Sequence, residues 1–279
     1  MTEYLSRPPR PGAAGRLLCF PYAGGGASAY VRWERGLARR GAAVDVLPVR
    51  LPGREGRIAE PRHSELAPLI VELDAELSPV LDADGPPVLL YGHSMGALLA
   101  YEVVRRRQSR GARLPSAALL AAYRAPHLPP PRIGGPDASD EELTRELAAL
   151  GGLPPVLLGH PEWLLALLPI VRDDLRLCAD AEGTADRVDV PLHLFAGETD
   201  ELVPRGEVRE WRMCAARGWE LWTVPGGHFF LRTHEPALLD VVAAVVRRYL
   251  TPPHPAPAEP PHPVRRPEPD PAASAPEGP

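Results

Sequence analysis

The chain alternates between short apolar runs and longer segments with helical spacing. Apolar runs fall at Arg16 to Phe20, Val44 to Val49, Val88 to Tyr91, Ala117 to Ala122, Pro191 to Gly197 and Trp219 to Val224. Most are apolar throughout, as strands covered on both faces are. Between them, Tyr30 to Arg40, Ser64 to Leu81, Ala97 to Val104 and Ala237 to Leu250 place apolar residues three and four apart, which predicts helices. This alternation predicts an α/β fold: a mostly parallel central sheet with helices on both faces.

One region breaks the alternation. From about Pro126 to Asp186 no strand pattern occurs. Ser139 to Leu150 predicts a helix, opened by a capping box of Ser139 and Glu142 and closed at Gly151-Gly152. Pro161 to Leu168 and Pro169 to Cys178 predict two more helices. Trp163, Leu164, Leu165, Leu167 and Leu168 are apolar nearly all round. They fit either a helix buried in the main core or a lid over residues 126–186 whose inner face lines a pocket. After Leu250 the character changes again. Residues 252–279 hold 12 prolines and almost no large apolar side chains, which predicts a disordered tail after one domain over 1–251.

Composition narrows the function classes. A net charge of −5 gives no reason to expect nucleic acid or an anionic membrane as partner. All 31 basic residues are arginine, which with 37 prolines points to codon usage rather than fold. Three cysteines without a C-x-x-C suit a reducing cytoplasm better than a disulfide framework. The first residues lack the apolar core of a secretory signal, and no apolar run is long enough to span a membrane.

The chemistry starts at Gly92-His93-Ser94-Met95-Gly96. A G-x-S-x-G pentapeptide between a predicted strand and a predicted helix is the nucleophile elbow of an α/β-hydrolase. The glycines permit a sharp turn that lifts the serine hydroxyl clear of the backbone. A serine hydroxyl is a weak nucleophile until a base takes its proton. In this fold an acid and then a histidine follow the serine in the chain. Asp200 follows the predicted strand at 191–197, and His228 follows the one at 219–224 after Gly226-Gly227. Loops at the carboxyl ends of parallel strands converge on one sheet edge, so Ser94, Asp200 and His228 are the catalytic candidates. Asp173 and Asp174 rival Asp200 but lie inside a helical pattern. His93 adjoins the nucleophile on a tight turn that directs it elsewhere, so it reads as a packing or supporting residue.

A tetrahedral oxyanion needs two aimed donors. The backbone N–H of Met95, directly after the nucleophile, is one candidate. The second comes from the loop Phe20-Pro21-Tyr22-Ala23-Gly24-Gly25-Gly26, with Ala23 preferred and Gly24 the alternative. This glycine-rich turn also suits a phosphate, but it lacks the Lys-Ser/Thr of a P-loop and the G-x-G-x-x-G spacing.

Several blocks in one order carry a more specific resemblance. Leu18 to Gly25, Leu51-Pro52-Gly53-Arg54-Glu55-Gly56-Arg57, Gly92 to Ala97, Leu150 to Pro154, Arg172 to Cys178, Phe195 to Asp200 and Gly226 to Leu231 resemble the motifs of type II thioesterases. These enzymes stand beside modular polyketide and nonribosomal peptide synthases. The similar blocks cover residues 16–250. The sequence departs at Cys178-Ala179-Asp180-Ala181, where relatives often carry an aromatic. The resemblance implies hydrolysis of acyl thioesters on the phosphopantetheine arm of an acyl or peptidyl carrier protein, in an editing or housekeeping role. It gives Ser94, Asp200 and His228 the triad roles. Together with the composition and the triad chemistry, the expectation is a cytoplasmic enzyme, a monomer, that needs no metal or organic cofactor and binds neither nucleic acid nor membrane. Trp163, Leu164, Leu167 and Leu168 are the candidates for acyl contact. A small-molecule carboxylesterase or lipase, and a catalytically silent hydrolase-fold interaction protein, are the competing readings.

Overall fold

The computed structural model describes residues 2–134, 138–153, 155–181 and 183–250. The proline-rich segment 252–279 lies outside the described residues. Six strands form one sheet: β1 (Arg16–Phe20), β2 (Asp45–Pro48), β3 (Val88–His93), β4 (Ala117–Ala121), β5 (Leu192–Gly197) and β6 (Trp219–Val224). The order is β2-β1-β3-β4-β5-β6, and every pairing is parallel. This is the parallel sheet, covered by helices, that the alternation of the sequence predicts. Chain order reverses between β1 and β3, and in open parallel sheets sites form at that switch point beyond the carboxyl ends of the strands.

Nine helices accompany the sheet among the described residues: α1 (Trp33–Ala38), α2 (Leu66–Leu81), α3 (Met95–Ser109), α4 (Asp140–Ala149), α5 (Pro155–Leu158), α6 (Pro161–Ala179), α7 (Arg205–Arg209), α8 (Phe230–Thr233) and α9 (Glu235–Arg247). Strand residues alternate between two cores. In β3, Leu90 packs with Leu73 and Leu77 of α2 and Leu98 of α3, whereas Leu89 and Tyr91 join Leu37 of α1 and Leu238 and Val242 of α9. Coverage of both faces explains why the strand sequences show runs rather than alternation.

Helix α3 is held at its far end by Arg107, which is fully buried. Its guanidinium donates to Asp74 Oδ1 at 2.8 Å and also binds Asp82. A buried charge is tolerated only when so partnered. The pair fixes α3 against α2, and with it the turn at the start of α3.

Two helix expectations change. The segment 161–179 is one helix, not two. Pro169 removes one backbone bond, but it sits on the exposed side, as does Leu165 four residues earlier. Water can therefore meet the freed carbonyl, while the apolar stripe from Leu164 to Val171 continues unbroken across the proline. The expected helix over 30–40 begins as a 3-10 turn at Ala27–Tyr30, and α1 starts only at Trp33. Tyr30 donates its hydroxyl to the Phe20 carbonyl at 2.6 Å, which ties that turn to the end of β1.

Helices α4 to α6 share a small core of their own, built from Ile133, Leu143, Leu147, Leu153, Leu168 and Val171. The capping box at Ser139 and Glu142 is present, with Glu142 N–H donating to Ser139 Oγ at 3.2 Å. No strand occurs in this region among the described residues.

Candidate active site

Ser94 sits at the turn between β3 and α3 with φ 54 and ψ −124. A positive φ on a non-glycine residue stores strain, here stabilised by Ser94 N–H donating to the Ala121 carbonyl at 2.8 Å. The glycines of the pentapeptide have specific reasons. A Cβ on Gly92 would overlap the Gly96 carbonyl, and one on Gly96 would overlap the Phe20 carbonyl of β1. The turn closes only where both side chains are absent.

His228 comes from the loop after β6 and Asp200 from the loop after β5. His228 Nε2 lies 3.0 Å from Ser94 Oγ, and His228 Nδ1 lies 2.9 Å from Asp200 Oδ2. Asp200 Oδ1 accepts from the Leu202 and Val203 N–H groups at 3.0 and 2.9 Å. Its carboxylate is therefore fixed before it meets the imidazole. The side chains of His228 and Asp200 are fully buried. Gly226, at φ +99, turns the chain toward His228, and the Gly226 carbonyl accepts from Thr199 N–H at 3.0 Å, joining the two loops.

His93 is fully buried, and its Nε2 lies 2.9 Å from the His228 carbonyl. Burial, with the neighbouring His228, holds its pKa well below the usual histidine range. A neutral imidazole facing a carbonyl must carry its proton on Nε2, so His93 donates to the backbone of His228. His93 thereby supports the loop that carries His228. Of the two rival aspartates, Asp173 pairs with Arg62 and Arg176, and Asp174 pairs with Arg54.

At the candidate oxyanion loop, residues 20–26, Gly24 N–H donates to Asp174 Oδ2 at 2.7 Å. That donor is engaged, which leaves Ala23 as the candidate beside Met95. Met95 opens α3, where the first N–H groups have no intrahelical acceptor.

A cavity of about 1020 Å³ opens between the loop at residues 22–26, the helices α4 to α6 and the segment after His228. Tyr22, Ala23, Leu153, Leu167, Val171 and Phe229 are among its walls. Neither Ser94 nor His228 is on this wall, but the ring of Phe229, which is, lies 5.1 Å from the ring of His228. The predicted acyl-contact residues separate. Leu167 lines the cavity. Leu164 packs at the edge of the small core of α4 to α6 and Leu168 lies inside it, neither of them on the cavity wall. Trp163 is 48% exposed and stacks on His160 at 4.1 Å, away from the cavity. Among the described residues no group of His, Cys, Asp and Glu has the spacing to hold a metal ion, and no helix is long and apolar enough to cross a membrane.

An elbow serine, a histidine behind it and an acid behind that, on the switch-point edge of a parallel sheet, define the α/β-hydrolase class. Within that class, the thioesterase domain model matches residues 15–245, and the chain belongs to the thioesterase family. It is 30% identical over 238 residues to the gramicidin S biosynthesis protein GrsT of Aneurinibacillus migulanus, covering 85% of this chain and 91% of that protein. Among solved structures it is similar to RedJ, a thioesterase from the prodiginine pathway of Streptomyces coelicolor. The TM-score is 0.77 at 35% identity, over 86% of this chain and 93% of RedJ. The type II thioesterase BorB of the borrelidin cluster aligns at TM-score 0.70 and 34% identity, over 87% of this chain and 95% of BorB.

Proposed function

We propose that this thioesterase removes acyl groups from the phosphopantetheine arm of a carrier protein in a polyketide or nonribosomal peptide pathway, acting as an editing enzyme. Ser94 Oγ attacks the thioester carbonyl carbon while His228 Nε2 takes its proton. Asp200 holds the Nδ1–H tautomer and stabilises the imidazolium. The Ala23 and Met95 N–H groups receive the oxyanion. The tetrahedral adduct collapses, its C–S bond breaks, and His228 returns the proton to the leaving thiol. Water then attacks the acyl-serine with His228 as base, which releases the carboxylic acid and restores Ser94. The observation that carries this reading is the continuous contact from Asp200 through His228 to Ser94, at 2.9 and 3.0 Å.

The helices over 126–186 act as the lid. Their inner face at Leu153, Leu167 and Val171 offers an apolar wall to an acyl chain. The test is a hydrolysis panel of acyl groups on carrier proteins, on simple thiols and on oxygen esters. Faster turnover (kcat/KM) on carrier-bound thioesters is expected. A preference for simple oxygen esters would support a carboxylesterase instead.

Leu167→Trp is expected to narrow the cavity and move the preferred acyl length toward shorter chains. A methylene in an apolar pocket discriminates roughly 10- to 200-fold, so a shift of about tenfold in the kcat/KM ratio of long to short acyl groups is expected. Trp163→Ala, on the exposed side, is expected to leave that ratio unchanged. An unchanged ratio in Leu167→Trp would remove the cavity from the acyl path.

A further inference from the structure

The block Pro52-Gly53-Arg54-Glu55 is unexplained by the triad, and it lies against loop 22–28. Arg54 is 7% exposed and Asp174, on α6, is fully buried. Arg54 Nη1 and Nη2 donate to Asp174 Oδ2 and Oδ1, both at 2.7 Å, a two-point carboxylate contact. The same guanidinium donates from Nη1 to the Gly25 carbonyl at 3.1 Å. The same carboxylate accepts from Gly24 N–H at 2.7 Å. Next in the block, Glu55 accepts from the Ala27 and Ser28 N–H groups at 2.9 and 3.0 Å. Loop 22–28 is thus gripped from outside at four backbone groups.

These grips bear on one peptide plane. Gly25 N–H donates to the Tyr22 carbonyl at 2.8 Å. That carbonyl and the Ala23 N–H share a rigid peptide unit and point in opposite directions. The direction of the Ala23 N–H therefore follows from the placement of residues 24 and 25, the two that Asp174 and Arg54 hold. Gly24, at φ +74, also touches α6 directly, since a Cβ there would run into Val171. Nothing larger fits between the oxyanion loop and the lid helix.

We infer that Asp174 and Arg54 form a clamp that sets the oxyanion donor of Ala23 and couples it to the lid helix α6. They are positioning residues, and the inference rests on the proposed role of the Ala23 N–H. The clamp also makes the C-terminal half of α6 a fixed part of the site, so any opening for the acyl arm occurs N-terminal to Val171.

The test compares wild type, Asp174→Asn and Ser94→Ala. Each is measured for thioester hydrolysis, for affinity toward an acyl trifluoromethyl ketone and for affinity toward the matching thioether. Addition of Ser94 Oγ to the ketone carbon places an oxyanion in the hole, whereas the uncharged thioether makes no such demand. Misplacing a reacting group by about 1 Å costs on the order of 100-fold. Asp174→Asn is expected to lose about 10- to 100-fold in kcat and to lose ketone affinity in proportion. KM and thioether affinity are expected to stay within about twofold, a split that general loosening would not give. If Asp174→Asn fails to fold, the pair Arg54→Gln with Asp174→Asn removes both buried charges together, and the same losses are expected. Wild-type kcat and ketone affinity, with Ser94→Ala inactive, would overturn the clamp alone. Activity retained in Ser94→Ala would overturn the clamp together with the site it serves.

Discussion

Ser94→Ala is expected to fold as the wild type does and to lose hydrolysis by about 10⁶-fold, the scale seen when a triad nucleophile is removed. The turn at residue 94 is held by backbone bonds, the Ser94 N–H to Ala121 and the Ala97 N–H to the Ser94 carbonyl, both 2.8 Å. Alanine keeps both. Only the Oγ that lies 3.0 Å from His228 is lost. An unchanged melting temperature with background turnover is the expected pair of results, read by thermal unfolding and by thiol release. Residual activity within tenfold of wild type would mean that another nucleophile acts.

Asp200→Asn is expected to cost on the order of 10⁴ in kcat with the fold intact, as in the serine-protease precedent. Asp200 Oδ1 serves Leu202 and Val203, and an asparagine oxygen can still accept from both. The remaining amide then presents N–H groups to His228 Nδ1, which favours the tautomer with its proton on Nε2. That tautomer cannot take the serine proton. Steady-state kinetics on one thioester decides it. A silent Asp200→Asn beside a crippling Asp173→Asn would relocate the acid.

What the sequence revealed and what it hid have separate causes. Runs such as Val88 to Tyr91 are legible because a strand buried on both faces has no polar positions to confuse its pattern. Ser94 and Asp200 each follow such a run, and His228 follows the largely exposed edge strand β6, so one rule about the carboxyl ends of parallel strands brings the three together. The switch point that puts the β1 loop beside Ser94 depends on strand order, which no local pattern shows. The inner face of α6 was hidden for a related reason. Trp163, Leu164, Leu167 and Leu168 look equally apolar, and only the packing of α4 and the loop at residues 22–26 separates the exposed Trp163 from the cavity wall at Leu167. Pro169 reads as a break because its cost is local, whereas the continuous stripe that offsets it is tertiary. The partner of His93 is a backbone carbonyl, and a backbone carbonyl leaves no trace in a sequence. Arg54 and Asp174 lie 120 positions apart, and neither residue type signals the other.

The same geometry makes one chemical measurement decisive. A fluorophosphonate reacts with a serine only where a base takes its proton and donors receive the developing oxyanion. The wild-type protein, incubated with such a probe, digested and mapped by mass spectrometry, is expected to carry one equivalent on Ser94. Parallel samples of Ser94→Ala are expected to carry none. Absence of label from the wild type, or label on a residue other than Ser94, would contradict the account.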